Sequence, residues 1–327
     1  MNTVKLINDF LNECNIKFTA HDFVEITSNV YHKFEAEKYD YSHYSIELSM
    51  PYWRKTLIEL EVLLPKKESL RMLDFGCGTG FATEQVLNSN LKDKFSKIIC
   101  YDLSPDMIQM CNQKFNTINS IEYMSDRSGL ENLKNETGKF DLIICNSLIH
   151  HVLDHKELFQ VFNDALTENG IVIIGHEPNK NFYQNKTLQR VSHIYRLHKK
   201  AMAKLGSLLT TEVNTIEDSD VCKLTYDKLI EKEYITETFP KYIIQKLIDI
   251  HVPMSTLKKQ PWGELGFNKD FFKIASENKL QVINQISYNH IKDQQAYKSL
   301  LWKSISKVLQ KIYPNDGADA IFVLIKK

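Results

Sequence analysis

The chain has 327 residues, 43% of them hydrophobic, and 41 basic residues balance 41 acidic ones. This length allows a large buried core, and the balanced charge provides no basic field for a nucleic acid, which is disfavoured as a partner. Six cysteines without a C-x-x-C pair indicate buried thiols of a reducing compartment. The N-terminal sequence lacks the apolar core of a secretion signal, and no 18 apolar residues run together. We therefore expect a cytoplasmic protein without a membrane partner.

The first 66 residues are predicted to be mainly helical. Apolar residues recur at helical spacing from Val4 to Cys14 and again from Tyr52 to Leu64, where Pro65 ends the pattern. Aromatic residues cluster between these two segments. This part of the chain precedes the first predicted strand and is expected to form a separate helical cap.

The segment Leu73–Phe81, LDFGCGTGF, predicts a strand, a tight turn and a helix. Its glycines, Gly76, Gly78 and Gly80, occupy alternate positions. Because glycine has no β-carbon, a ligand can lie against the backbone N–H groups at the start of the helix. This loop is therefore expected to bind a cofactor.

The next predicted strand supports that interpretation. It ends on Asp102, about 20 residues beyond the loop, where a doubly wound α/β fold places a carboxylate that accepts hydrogen bonds from ribose hydroxyls. Ser104 and Pro105 then indicate the N-cap and first turn of a helix. The glycine spacing is G-x-G-x-G and not G-x-G-x-x-G, so a nicotinamide cofactor is the second choice.

Strand and helix patterns alternate regularly from residue 70. Strands are expected near 70–75, 97–102, 120–124, 141–146 and 171–176, and Asn169-Gly170 is expected to end the helix before the fifth. This alternation predicts a parallel sheet covered on both faces, with ligands beyond the carboxyl ends of the strands. After Pro178 the pattern is helical to about residue 265, and two further strands are expected at 280–288 and close to the C-terminus.

These motifs together resemble the class I S-adenosylmethionine-dependent methyltransferases. The matching features are Asp74 with the alternating glycines, Asp102, Asp126 after the third strand, and FDLIICNSLIHHV at 140–152. The resemblance implies an α/β, Rossmann-like, doubly wound seven-stranded sheet. That sheet is mostly parallel, and an antiparallel last strand is inserted between the fifth and sixth. The implied division is a helical cap at 1–66, a cofactor-binding core at 67–178, a helical lid at 179–265 and a C-terminal completion of the sheet at 266–327.

The resemblance implies S-adenosylmethionine as the cofactor and S-adenosylhomocysteine as its product. It assigns cofactor binding to Asp74, Gly76, Cys77, Gly78, Gly80, Asp102, Leu103, Met107, Asp126, Arg127 and Asn146. Substrate contacts are expected from Tyr41, His43, Tyr44, Glu177 and Tyr195. For the aromatic residues of the cap, packing against the sheet is the alternative role.

A methyl donor that is already a sulfonium mainly requires a nucleophile held in line with the methyl group. Where that nucleophile must lose a proton, histidine is a suitable base. The candidates are His151, His176 and His150 at the ends of the fourth and fifth strands, with Glu177 expected to orient His176 or bind a substrate amine. His150, His151 and His155 have near-helical spacing, but the acidic set of a metal-dependent methyltransferase is missing, so we predict no metal.

The segment Lys186–Leu209 is predicted to be a long helix with an apolar stripe and six basic residues but no acidic residue. It attracts an anionic substrate or carrier, or it is a solvated face neutralised by the acidic stretch that follows. The leading hypothesis is a methyltransferase acting on oxygen or nitrogen of a small molecule. The alternatives are a methyltransferase acting on a macromolecule or a carrier-bound substrate, and a cofactor-binding module without catalysis.

Overall fold

A computed structural model describes residues 3–36, 44–125, 133, 135–136, 138–206, 218–250 and 269–327. Seven strands form one sheet: β1 (Leu70–Phe75), β2 (Phe95–Tyr101), β3 (Ile121–Met124), β4 (Phe140–Asn146), β5 (Leu166–Pro178), β6 (Leu280–Tyr288) and β7 (Asp319–Lys326). The order across the sheet is β3-β2-β1-β4-β5-β7-β6. Strands β1 to β5 pair in parallel, whereas β7 is antiparallel to both β5 and β6. The predicted fold class is confirmed.

Helices precede, alternate with and follow these strands. They are α1 (Thr3–Glu13), α2 (Ala20–Glu35), α3 (Tyr44–Leu63), α4 (Phe81–Leu87), α5 (Pro105–Phe115), α6 (His155–Ala165), α7 (Lys180–Gln184), α8 (Lys186–Gly206), α9 (Asp218–Glu231), α10 (Ile244–Ile248), α11 (Lys269–Glu277) and α12 (Leu300–Ile312). Helix α6 ends at Ala165, and not at Asn169-Gly170 as predicted, because Leu166 already has extended backbone angles and pairs with Phe140 in the sheet. None of the described helices is long and apolar enough to cross a membrane.

The two faces of the sheet carry separate apolar cores. On one face α3 contributes Trp53, Leu57 and Leu60, which pack with α4 and α5. On the other face Phe159 and Phe162 of α6 pack with residues of α11. Strands such as β4, which is buried over six of its seven residues, are apolar on both sides because both faces are covered.

A third core joins the N-terminal helices to helices that follow strand β5. Phe23 of α2 packs against Phe239 with ring centroids 5.8 Å apart, and Leu247 of α10 belongs to the same cluster. The cap and the predicted lid therefore share one core. The sequence pattern does not reveal this pairing because it depends on contacts between residues more than 200 positions apart.

A fourth core holds the long basic helix α8. Leu188 and Tyr195 are buried, and the Tyr195 ring lies edge-on to Trp302 of α12 with centroids 5.0 Å apart. The N-terminal part of the apolar stripe predicted for this helix is therefore buried in the core. The stripe ends exposed, since Met202 retains 55% of its accessible surface.

Candidate functional site

The three glycines after β1 all have positive φ angles, of +72° at Gly76, +52° at Gly78 and +90° at Gly80. The carbonyl of Tyr101 accepts hydrogen bonds from the N–H groups of Gly76 and Cys77, at 2.8 and 2.9 Å. A β-carbon at Gly80 would lie 2.5 Å from the Phe115 ring, whereas one at Gly78 would meet nothing within 4 Å. Gly80 is therefore required for packing, and Gly78 presents open backbone.

Asp74 connects the end of β1 to the start of α4. One carboxylate oxygen, Oδ2, accepts hydrogen bonds from the backbone N–H of Thr83 at 3.0 Å and from its hydroxyl at 2.6 Å. Oδ1 is buried without a hydrogen-bond partner among the described residues. Burial raises the pKa of Asp74 to about 8. The hydrogen bonds to Thr83 therefore tie the end of β1 to the first turn of α4.

Asp102 follows β2 and contacts the same loop. Its Oδ2 accepts a hydrogen bond from the N–H of Gly78, and its Oδ1 accepts one from the N–H of Ser104, each at 2.9 Å. Burial raises the pKa of this carboxyl group, and these hydrogen bonds partly oppose the rise. Ser104 caps α5 by accepting a hydrogen bond from the N–H of Met107, and Met107 is buried. The predicted helix start is therefore confirmed.

A cavity of about 350 Å³ lies over the glycine loop. Gly76, Asp102, Leu103 and His151, all predicted from the sequence, line it together. The other predicted cofactor residues with described side chains do not line this cavity. Its apolar walls include Phe75, Tyr101, Leu148, Val152, Leu153 and Leu158.

Helix α2 covers this cavity, and the sequence analysis missed its contribution. The lining residues of the helix are His21, Val24, Glu25, Ser28, Asn29 and His32. Their spacing of three to four residues places them on one helical face, which is the signal that could have identified them. Among them, His32 adjoins a predicted site residue, since its ring centroid lies 6.1 Å from that of His151.

Glu177 is fully buried and organises the turn after β4. Its Oε1 accepts hydrogen bonds from the N–H groups of Leu148 and Ile149, both at 2.8 Å, and its Oε2 accepts one from Nδ1 of His150 at 2.7 Å. Burial by itself lowers the pKa of His150, but the Glu177 carboxylate outweighs this and raises it overall. Glu177 thus orients His150 and not His176, which corrects the predicted pairing.

His151 is held by the segment that follows β5 and α9. Its Nδ1 lies 2.7 Å from the carbonyl oxygen of Ile248, at the end of α10. Because a carbonyl oxygen only accepts, Nδ1 carries the proton, and Nε2 of the neutral ring keeps a lone pair. Burial, together with the charge on neighbouring His150, lowers the pKa of His151 to about 4. His151 is therefore neutral near pH 7.

His176 lies outside this cavity. Its Nδ1 is 2.7 Å from the hydroxyl of Tyr288, and its φ angle of +53° places it in the left-handed region. Asn146 is also directed elsewhere, because its Oδ1 accepts a hydrogen bond from the indole N–H of Trp53 at 3.2 Å. Tyr195 packs in the core beside Trp302 and is not brought to the cavity. These three residues remain predicted site residues that do not line the cavity.

Four predicted site residues, Tyr41, His43, Asp126 and Arg127, lie outside the described residues, as does the side chain of Tyr44. Two groups of side chains come close enough to share a cation, with candidate ligand atoms within 4.8 Å of one another. One consists of His150, His151 and Asp249, and the other of Cys77, Cys100 and Cys111. Both groups combine residues that are far apart in the sequence, and the absence of a metal stays a prediction.

The geometry of the loop can be compared with the requirements of an adenosyl cofactor. The open backbone at Gly78 leaves room for a ligand beside the loop, and the half-buried Asp102, whose carboxylate accepts the N–H of Gly78, lines the adjoining cavity with Gly76. The residues present therefore fit such a group. A seven-stranded sheet of this order, with this loop after its first strand, defines the class I methyltransferase fold.

Comparison with known proteins agrees with that classification. Residues 73–172 match the family model described as a methyltransferase domain. Over 150 residues the chain is 27% identical to an uncharacterized methyltransferase of Schizosaccharomyces pombe, covering 43% of this chain and 47% of the relative. It is 31% identical over 119 residues to a malonyl-[acyl-carrier protein] O-methyltransferase of Bacillus anthracis, covering 36% and 42%. The chain thus spans about half the length of the curated relatives that it matches.

A third relative and a solved structure extend the comparison. A ubiquinone/menaquinone biosynthesis C-methyltransferase of Campylobacter jejuni is 27% identical over 124 residues, which cover 37% of this chain and 51% of the relative. The structure of phosphoethanolamine N-methyltransferase 2 of Haemonchus contortus, with S-adenosyl-L-methionine, is 15% identical, with a TM-score of 0.40 and coverage of 84% and 52%. The resemblance found in the sequence is confirmed by the match of residues 73–172 to a methyltransferase domain.

Proposed function

We propose that this protein is an S-adenosylmethionine-dependent methyltransferase that transfers a methyl group to oxygen or nitrogen of a small-molecule metabolite. One observation carries the proposal. The cavity over the glycine loop brings Gly76 and Asp102, which fit the cofactor, together with His151, which fits a base. Helix α2 covers this space, and such a cover would exclude water from a reaction that requires a dry, oriented nucleophile.

The chain offers suitable groups to the ribose and the adenine of the cofactor. The Asp102 carboxylate would accept hydrogen bonds from ribose hydroxyls, and the backbone at Gly78 would lie directly against the ligand. Leu103, with 39% of its surface exposed, would contact the adenine. When bound, the sulfonium supplies an electrophilic methyl group that needs no further activation by the protein.

His151 is the residue that we propose as the base. Its Nδ1–H is engaged by the carbonyl of Ile248, so Nε2 is the atom that would accept a proton from a hydroxyl or ammonium nucleophile. The lowered pKa of about 4 keeps the ring neutral and therefore able to accept. His150 would be a positioning residue, because its hydrogen bond to Glu177 fixes the turn that carries His151.

A carrier-bound or macromolecular acceptor is the second candidate, and helix α8 favours it. Its basic residues include the exposed Arg190, Arg196 and Lys200, while Lys199 pairs with Asp293 at 3.0 Å. Two of the relatives bear names of an O-methyltransferase for a carrier protein and of a C-methyltransferase. The accepting atom is therefore part of what the experiment must determine.

The first test is calorimetric titration with S-adenosylmethionine, S-adenosylhomocysteine and NAD. We expect both adenosyl compounds to bind and NAD not to bind. Replacing Asp102→Ala should weaken adenosyl binding by about 2 kcal/mol through loss of buried hydrogen bonds, whereas the exposed Asp93→Ala should bind normally. Equal affinity in the Asp102 variant would contradict the assignment of that residue.

A second test identifies the acceptor. A cell extract is separated by ultrafiltration into small molecules and macromolecules, and each fraction is incubated with the protein and methyl-labelled cofactor. Label in the small-molecule fraction supports the proposal, and label confined to the retained fraction favours the carrier or macromolecule. Cofactor binding without any labelled product would favour a binding module without catalysis.

A further inference from the structure

A second cavity, of about 440 Å³, lies at the carboxyl end of β6. We call it the β6 cavity. Its walls come from the first half of α3, from Tyr288 and Asn289 at the end of β6, from the turn Gln294–Lys298, and from α12. Its volume is in the range of small-molecule sites.

The β6 cavity is separate from the one over the glycine loop. The two share no lining residue. In the sheet, β4, β5 and β7 lie between β1 and β6, which at the usual spacing corresponds to about 19 Å. A ligand of the β6 cavity would therefore not occupy the cofactor position.

Aromatic rings form the walls of the β6 cavity and are held in place. The rings of Tyr52 and Tyr288 stack with centroids 4.7 Å apart at 15°. The hydroxyl of Tyr288 bonds to Nδ1 of His176 at 2.7 Å, and the hydroxyl of Tyr297 accepts a hydrogen bond from Ser306 at 2.8 Å. These hydrogen bonds hold the rings in place, and the half-buried Tyr52 and Tyr297 offer flat apolar ring surface to the cavity.

Two residues that line the β6 cavity, and also a neighbouring cavity of about 300 Å³, each have an amide oxygen that is buried without a hydrogen-bond partner among the described residues. These oxygens are Oδ1 of Asn289 and Oε1 of Gln294. Asn289 is only 8% exposed, and its Nδ2 donates to the Asp319 carboxylate at 2.7 Å. A carboxylate accepts only, so this bond fixes the amide with Oδ1 as the unused acceptor. An unused buried acceptor is costly and indicates a ligand that donates a hydrogen bond.

The lysines of the β6 cavity set the charge of that ligand. Lys298, Lys303 and Lys307 line it, against one acidic residue, Glu47. Lys303 and Lys307 lie one turn apart on α12, so their ammonium groups project from the same side of the helix. The excess of positive charge favours an anionic group.

We propose that the β6 cavity is a binding site for an aromatic anion that carries a hydroxyl or amino donor on its ring. The ring lies against Tyr52 and Tyr297, the anionic group faces the lysines of α12, and the donor pairs with Asn289 or Gln294. The site is independent of methyl transfer, so it stands or falls separately from the proposed function.

The probe for this site is 6-hydroxy-2-naphthoate, which combines an aromatic ring system, an anion and a hydroxyl donor. Binding to the full chain is followed by calorimetry, without cofactor. Two analogues each remove one feature: 2-naphthoate lacks the hydroxyl, and 6-hydroxy-2-naphthamide lacks the charge. We expect each analogue to bind about tenfold more weakly than the probe.

Variants assign that binding to the cavity. The double change Lys303→Glu and Lys307→Glu should weaken the binding of the probe at least tenfold. Lys311→Glu, on the same helix but outside the cavity, should leave the affinity for the probe unchanged. All three lysines are exposed, so folding should be preserved, and circular dichroism checks this. Absence of probe binding, equal binding of the neutral amide, or an equal loss in the Lys311 variant would overturn the proposal.

Discussion

The Glu177 carboxylate lies 2.7 Å from Nδ1 of His150, with both residues buried beneath the turn after β4. The same carboxylate accepts the backbone N–H groups of Leu148, Ile149 and His150, so four donor atoms of one turn depend on a residue 27 or more positions away in the sequence. A buried charge with this many hydrogen bonds is strongly bound to its partners. Removing it would leave several donors unsatisfied.

The first prediction concerns that carboxylate. Replacing Glu177→Gln keeps the shape but places an amide donor against donors of the turn, and we expect a loss of about 3 kcal/mol in the free energy of unfolding. The pKa of His150, now raised by Glu177, should fall. Urea denaturation and NMR titration of the histidines measure the two effects. Glu168→Gln, at an exposed position of β5, is the control and should change neither quantity.

The second prediction is a pH dependence of stability from His151. Its folded-state pKa of about 4 lies below the ordinary 6.5, so the unfolded chain takes up a proton first as pH falls. The stability contribution is therefore complete above pH 6.5 and is lost between there and pH 4. Between pH 7 and pH 5 the protonation of His151 alone should lower the free energy of unfolding by about 2 kcal/mol. Urea unfolding at both pH values should therefore show a loss that is larger by this amount in the wild type than in His151→Gln.

His150 should act in the opposite direction. Because its pKa is raised in the folded protein, its contribution is present below the unfolded pKa and is lost as pH rises through the folded value. The His151→Gln variant should still lose stability from His150 as pH rises, but it should lack the loss of stability that His151 causes as pH falls. A variant that keeps the full acidic loss of stability would contradict the placement of His151.

The third prediction concerns catalysis. If His151 accepts the proton, His151→Gln should slow methyl transfer about 100-fold or more while leaving cofactor affinity close to normal. Because the His151 pKa is about 4, the base is already neutral at pH 6. Its protonation should therefore cause no change in the rate of methyl transfer between pH 6 and pH 8. His193→Gln, exposed on α8, should have the wild-type rate. A normal rate in the His151 variant would remove this residue from the mechanism.

Much of the fold was predictable because its signals are local. The strands β1 and β4 are short, largely buried runs, and the glycine loop and Asp102 adjoin the ends of β1 and β2. The carboxyl ends of parallel strands meet at one edge of the sheet, so neighbouring loops could be assigned to one site from strand order alone. The position of β7 between β5 and β6 was predicted only from the resemblance to the methyltransferases, and the structure confirms it.

The rest of the site depends on contacts between distant segments. Helix α2 reaches the cavity because Phe23 packs with residues after β5, and the Ile248 carbonyl orients His151 from 97 positions away. Glu177 was expected to pair with its neighbour His176 but bonds to His150 across the sheet edge. Periodicity and spacing describe one segment at a time, so they cannot specify such partners.

The last prediction uses two glycines with the same backbone strain. Gly78 has φ of +52° and Gly138 of +63°, and a β-carbon at either would meet nothing within 4 Å. Replacing each by alanine should therefore cost a similar amount of stability, about 1 to 2 kcal/mol. Only Gly78→Ala should weaken the binding of S-adenosylmethionine, by about tenfold or more, because the alanine side chain would project into the space beside the loop. Denaturation and calorimetry on both variants separate strain from lost ligand contact, and equal cofactor affinity in the two would mean that the ligand does not approach the backbone at Gly78.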